Sequence, residues 1–113
     1  EDGTAVRDYI HVMDLAEGHI LALEYILKEE VNLINLNLGT GKGTSVLKLV
    51  NTFSKVNKVE IPYKFTYRRE GDAPFSVADN SLAKEKLHWE PKKNLVRMCL
   101  DSWNWHIKNP YGI

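Results

Sequence analysis

The chain has 113 residues, of which 43% are hydrophobic, enough for one domain with a core but not for two. Its 15 Lys and Arg balance 15 Asp and Glu, which argues against a general nucleic-acid binder, because such proteins need a net basic face. The single cysteine, Cys99, excludes an intrachain disulfide. No apolar run reaches membrane-spanning length and no signal peptide opens the chain, so we expect a cytoplasmic protein without a membrane partner.

The start of the chain reads as a loop already under way, because it has no initiator Met and begins Glu1-Asp2-Gly3-Thr4. We therefore expect residues 1–113 to be one lobe of a larger protein.

The first half of the chain predicts a strand, a helix and a second strand. Residues 7–12 are β-prone, and Asp14 followed by Glu17 is typical of a helix start. Apolar residues then recur at helical spacing, which predicts a helix over residues 13–28. Residues 34–38 alternate apolar and polar side chains, as a half-buried strand does.

A glycine-rich turn and a second helix follow. Glycines at 39, 41 and 43 end the strand, and Thr44 or Ser45 caps the helix. The apolar stripe of this helix consists of Val46, Leu49, Val50, Phe53 and Val56.

The second half of the chain predicts shorter elements. Residues 62–67 and 75–78 are expected to be extended, with a turn at 72–74 between them. A short helix begins at Asn80 or Ser81, runs through Leu87 and must end before Pro91. Asn94 caps a final helix that Pro110 ends, and this helix is expected to bury Leu95, Cys99, Trp103 and Ile107.

This order of elements predicts a small mixed α/β fold. The strands are too few and too far apart for an independent doubly wound sheet. A small α+β lobe that packs on another domain fits the pattern better.

The glycine turn at residues 39–45 suggests a phosphate-binding loop but matches neither known pattern. Lys42 is followed by Gly43 where the Walker pattern requires Ser or Thr after a Gly-Lys pair. The third glycine comes one residue too early for the dinucleotide fingerprint. A tight turn before a capped helix is the favoured interpretation; a helix N-terminus that faces a ligand is the alternative.

Other candidate sites are weaker. His11, Asp14, Glu17 and His19 lie close in sequence, but two of them fall in the middle of an amphipathic helix, so we expect no metal site. Cys99 lies on an apolar stripe and is expected to be a structural thiol rather than a nucleophile. Three tryptophans are expected to be packing residues: Trp89, Trp103 and Trp105.

Two arginines are more informative. Arg7 begins one extended segment, and Arg69 ends another, three residues before Asp72. Two separated guanidinium groups can hold a diphosphate through paired hydrogen bonds, and Asp72 can accept hydrogen bonds from ribose hydroxyls. Spacing alone leaves a plain surface ion pair open as the alternative.

Three segments together resemble UDP-glucose 4-epimerases. They are residues 7–19 (RDYIHVMDLAEGH), residues 68–74 (RREGDAP), and the end of the chain with Trp103-Asn104-Trp105 and residues 109–112 (NPYG). The turn at residues 37–41 and the intervening lengths also fit. The first segment is shared by many extended short-chain dehydrogenase/reductases that act on nucleotide sugars, whereas the second is typical of the epimerases.

The resemblance implies a C-terminal lobe that closes over a UDP-sugar, while an N-terminal Rossmann domain holds NAD. It implies that Arg7 and Arg69 contact the diphosphate, that Asp72 contacts the uridine ribose, and that Val46 lies against the uracil. The epimerases of this family that act only on unacetylated sugars resemble one another in carrying a bulky Tyr two residues after the proline. This chain has Ser76 there, so we expect it to accept N-acetylated UDP-sugars as well.

The family's reaction uses the Tyr of a Tyr-x-x-x-Lys motif as the base, while NAD takes and returns the C4 hydride. None of the five tyrosines here has a lysine four residues later, so we expect no catalytic residue, no NAD site and no activity in this chain alone. Epimerases of the family are often homodimers. Two alternatives stay open: another nucleotide-sugar enzyme of the superfamily, such as a dehydratase or decarboxylase, or a non-enzymatic UDP-binding module.

Overall fold

The computed structural model describes residues 2–112; Glu1 and Ile113 lie outside it. Strands of two residues alternate with helices in this part of the chain, which gives the small mixed α/β fold that the sequence predicts. The elements are β1 (Val6–Arg7), α1 (Val12–Glu29), β2 (Thr44–Ser45), α2 (Val46–Asn57), β3 (Phe75–Ser76), α3 (Ser81–Leu87) and α4 (Leu95–Lys108).

The three short strands form one sheet in the order β2-β1-β3. β1 runs antiparallel to β2 and parallel to β3. Arg7 is paired with Thr44 on one side and with Ser76 on the other. The central strand therefore places Arg7 between two hydroxyl side chains.

Helix α1 begins two residues before the predicted cap. His11 is its N-cap, and its ring accepts a hydrogen bond from the Met13 amide. The predicted capping role of Asp14 is wrong, because this carboxylate is buried and accepts hydrogen bonds from the amides of Lys92 (3.1 Å) and Lys93 (2.9 Å). Asp14 thus ties α1 to the segment that leads into α4.

The main core lies between α1 and α3. Trp89 is only 1% exposed and packs with Ala83 and Leu87. Its indole N–H donates to the Asp14 carbonyl at 3.0 Å, so the buried polar atom has a partner. The expected packing role of Trp89 is confirmed. Partly buried side chains complete this core: Ile10, Leu21, Ala22, Tyr25, Leu36 and Leu38.

A second contact joins α2 to α4. The predicted caps are confirmed: Ser45 Oγ accepts from the Lys48 amide at 3.1 Å, and Asn94 Oδ1 accepts from the Arg97 amide at 3.0 Å. Edge-to-face contact between the rings of Phe53 and Trp103, with centroids 5.9 Å apart, links the two helices.

The predicted buried stripe of α4 is correct only in part. Cys99 is buried, and this burial raises the pKa of its thiol, as a structural cysteine requires. Leu95 and Trp103 are half-buried. Ile107 is exposed, so its predicted burial is wrong, and Trp105 is exposed as well.

The predicted strand at residues 34–38 is wrong. Residues 34–38 do alternate between half-buried and exposed side chains, but they pair with no strand among residues 2–112. Residues 62–67 are exposed and also unpaired. Alternation sets which side chains point inward, but a strand also needs a hydrogen-bonded neighbour. The extended segments 7–12 and 75–78 shorten to two-residue strands for the same reason.

Trp89 offers a test of the core. Replacing it with Ala should lower the free energy of unfolding by about 3–5 kcal/mol, because a large buried side chain leaves a cavity. Trp105 is 51% exposed, so Trp105→Ala should cost less than about 1 kcal/mol. Chemical denaturation of both variants measures the difference. Equal losses would contradict this placement of the core.

Candidate functional site

Asp8, which directly follows β1, binds the glycine turn. Its Oδ1 accepts from the Thr40 amide at 2.9 Å and from the Thr40 hydroxyl at 2.5 Å. Its Oδ2 accepts from the amides of Gly41 (2.9 Å) and Ala78 (3.3 Å). Because these turn amides donate to the protein's own carboxylate, they do not form a site for an external phosphate. The interpretation of residues 39–45 as a tight turn is confirmed.

The turn fits closely around this carboxylate. A Cβ atom at Gly39 would lie 2.6 Å from both Asp8 Oδ2 and the Ala78 Cβ, and Gly41 has a positive φ of 71°. The Gly39 carbonyl accepts a hydrogen bond from the Asn80 side chain at 2.7 Å. Glycine is therefore required here for packing against Asp8.

The sequence reasoning missed this role of Asp8. Its partners lie 32, 33 and 70 residues further along the chain. No local pattern indicates such contacts, and only the fold brings the groups together.

Arg7 and Asp72 meet although 65 residues separate them. Arg7 Nη2 lies 2.5 Å from Asp72 Oδ1, and Arg7 Nη1 donates to the Val6 carbonyl at 2.8 Å. Their side chains are 30% and 25% exposed. Arg69 Nη2 lies 4.0 Å from the other oxygen of Asp72 and is far more exposed. One carboxylate thus stands beside both arginines.

Ser76 lies next to this group. It is exposed and is paired in the sheet with Arg7, and paired residues on neighbouring strands project from the same face. We call Arg7, Arg69, Asp72 and Ser76 the Arg7 patch.

Val46 begins α2 beside the same sheet. Its amide donates to the Ala5 carbonyl at 3.0 Å, which ties the helix start to the residue before β1, and its side chain is 40% exposed. The structure therefore brings Arg7, Arg69 and Asp72 into contact and sets Ser76 and Val46 on the neighbouring strand and helix.

Two cavities lie away from these residues. One of about 990 Å³ lies between α2, α4 and residues 9–13, and one of about 320 Å³ lies beside residues 90–95. Neither is lined by Arg7, Arg69 or Asp72.

The larger cavity has a histidine in its wall, but both ring nitrogens are occupied. His11 Nδ1 accepts from the Met13 amide, so Nε2 carries the proton and donates to Asp101 at 3.0 Å. Burial opposes ionisation of Asp101, but hydrogen bonds from Arg97 and His11 hold its pKa below the ordinary value. This arrangement positions a helix start and leaves no free base.

Two further features are not found in the described part of the chain: a metal-binding cluster and a membrane-spanning helix. Between residues 2 and 112, no three His, Cys, Asp or Glu side chains are grouped so that they could hold a metal ion. Within the same range, no helix combines the length and the apolar character needed to cross a membrane.

Residues 1–101 match the sequence family described as GDP-mannose 4,6 dehydratase. The chain belongs to this family. The family is part of the extended short-chain dehydrogenase/reductases, so the resemblance found in the sequence is confirmed at this level.

The relatives that the chain matches are longer proteins. It is 52% identical to the UDP-glucose 4-epimerase of Bacillus subtilis over 112 residues, which are 99% of this chain and 33% of that protein. The chain thus spans about a third of the length of this relative.

The solved structures that this chain resembles are also longer proteins, and this chain covers about a third of each. The UDP-glucose 4-epimerase of Stenotrophomonas maltophila, with bound NAD and formylated UDP-arabinopyranose, has a TM-score of 0.91 and 44% identity over 97% of this chain and 32% of that chain. The enzyme of Bifidobacterium longum, in complex with NAD⁺ and UDP, has a TM-score of 0.86 and 40% identity over 99% of this chain and 33% of that chain.

The glycine turn at residues 39–41 does not fit the pyrophosphate of NAD. A dinucleotide pyrophosphate needs free amides at a glycine turn. Here the amides of Thr40 and Gly41 donate to Asp8, and a side chain fills the space beside Gly39. We therefore assign no NAD contact to this turn.

Asp8 can be tested directly. Asp8→Ala should lower the free energy of unfolding by about 2 kcal/mol or more, because several donors lose their acceptor. Asp8→Asn keeps one acceptor oxygen and should lose about half as much. Hydrogen exchange should also accelerate at the amides of Thr40 and Gly41. Unchanged exchange at these two amides in Asp8→Ala would contradict the assigned contacts.

Proposed function

We propose that this chain forms the UDP-sugar-binding part of an NAD-dependent UDP-glucose 4-epimerase. The observation that carries the proposal is the convergence of Arg7 and Arg69 on the carboxylate of Asp72. Guanidinium groups bind phosphate oxygens through paired, charge-assisted hydrogen bonds. The epimerase relatives whose structures hold UDP or a UDP-sugar support the choice of nucleotide.

Each residue of the site has a proposed role. Arg7 and Arg69 bind the two phosphates, and Asp72 accepts hydrogen bonds from the ribose. Val46 lies against the uracil, since its exposed side chain offers an apolar contact beside the sheet. Ser76 lies beside the sugar and leaves room for an N-acetyl group.

These residues bind and orient the nucleotide, and they do not carry out the chemistry. The 113 residues contain no Tyr-x-x-x-Lys motif, and the glycine turn is closed to NAD. We propose that the base and the NAD site lie in the rest of the protein, in a Rossmann domain, and that this chain alone is inactive. Cytoplasmic location and assembly as a homodimer stay predictions.

A dehydratase is the second candidate, because the matching family is described by that activity. Incubation of the whole protein with NAD and UDP-glucose separates the two. An epimerase yields UDP-galactose, of the same mass as the substrate. A dehydratase yields a product that is lighter by one water molecule.

The two neighbouring arginines provide a matched pair for the diphosphate site. Arg69→Ala should weaken UDP binding about 10- to 100-fold, because a charge-assisted contact is lost. Arg68→Ala removes the same charge from the adjacent position and should change affinity less than about threefold. Isothermal titration calorimetry with UDP on the full-length variants measures both affinities. Similar losses in the two variants would count against a specific role of Arg69.

Ser76 tests the sugar specificity. Ser76→Tyr should reduce turnover of UDP-N-acetylglucosamine at least about tenfold relative to UDP-glucose, since the larger side chain occupies the space beside the sugar. Ser76→Ala should keep the original ratio. The ratio of kcat/KM for the two substrates is the readout. Failure of the wild-type protein to convert the acetylated pair would end this part of the proposal.

A further inference from the structure

The Asp72 carboxylate accepts a hydrogen bond from an Arg7 N–H group that a bound phosphate would also use. Its Oδ1 lies 2.5 Å from Arg7 Nη2, and its Oδ2 lies 4.0 Å from Arg69 Nη2. A phosphate that takes this edge of Arg7 must displace the carboxylate. The displaced carboxylate then stays beside a second anion, which is unfavourable by Coulomb repulsion.

Resting on the proposed function, we propose that Asp72 makes this site selective for nucleoside diphosphates over inorganic phosphates. A nucleotide brings ribose hydroxyls, which can donate hydrogen bonds to the displaced carboxylate. Inorganic diphosphate chiefly offers acceptors at neutral pH and gives the carboxylate no equivalent partner. Asp72 thus discriminates through a repulsive contact that only the correct ligand relieves.

The burial of these side chains supports this role. Arg7 and Asp72 are 30% and 25% exposed, so their contact is screened less than that of a fully exposed pair. The carboxylate of Asp8, the residue that follows Arg7 in the sequence, already accepts hydrogen bonds from the amides of the glycine turn. Of these two carboxylates, Asp72 is therefore the one placed to respond to an incoming anion.

The test measures inorganic diphosphate and UDP separately on the full-length protein. Asp72→Asn removes the competing charge at nearly constant size. Isothermal titration should show inorganic diphosphate binding about fivefold more tightly, while UDP binding weakens or stays unchanged. If Asp72 contacted only the ribose, UDP would weaken and inorganic diphosphate would not change.

Glu70→Gln is the matched control. Glu70 lies in the same exposed segment, and no salt bridge joins it to Arg7 or Arg69 within residues 2–112. This variant removes one negative charge and should change the affinity for inorganic diphosphate less than about twofold. Asp72→Ala, with thermal unfolding recorded for each variant, guards against an effect of misfolding.

Two outcomes would overturn the inference. One is unchanged or weaker binding of inorganic diphosphate in both Asp72 variants; the other is equal tightening in Glu70→Gln. Either result leaves the proposed function intact if Arg69→Ala still weakens UDP. Loss of the Arg69 effect would instead refute the diphosphate site itself.

Discussion

The hydrogen bonds of the Asp8 carboxylate hold together the part of the chain that carries the proposed site. They join the end of β1 to the glycine turn before β2 and to Ala78, two residues after the end of β3. A two-residue strand has few ladder hydrogen bonds of its own, so a sheet of such strands needs another connection. Asp8 provides it, and the sheet thereby holds Arg7 in a fixed register between Thr44 and Ser76.

The Arg7 patch follows from this constraint. Arg7 is on the central strand, whereas Arg69 and Asp72 come from the loop that leads into β3. The Val6 amide donates to the Pro74 carbonyl at 2.9 Å, which fixes the end of that loop against β1. Arg7, held by the sheet, and Arg69, carried by the loop, then share the carboxylate of Asp72. In the proposed site this carboxylate exchanges partners when an anion binds. The rest of the epimerase chemistry is proposed to lie outside these residues.

Local signals in the sequence predict the helices and the caps of α2 and α4 correctly, but not the cap of α1. Ser45 and Asn94 cap α2 and α4 because a side-chain oxygen next to a helix start is a purely local feature. The roles of Asp14 and Asp8 could not be predicted, because their partners lie far along the chain. The prediction of a strand at residues 34–38 is wrong because alternation of apolar and polar residues indicates which side chains are buried, but not whether the segment pairs with another strand. The sequence predicts one binding site that contains Arg7, Arg69 and Asp72, but not the ion pair between Arg7 and Asp72, which lie 65 residues apart.

A structure of the full-length protein with bound UDP tests the central claim most directly. We expect the guanidinium groups of Arg7 and Arg69 to lie about 2.7–2.9 Å from phosphate oxygens. Asp72 should have moved from Arg7 to the ribose, while Asp8 keeps its contacts with Thr40 and Gly41. UDP bound away from Arg7, or phosphates held by the glycine turn in place of Asp8, would contradict the account.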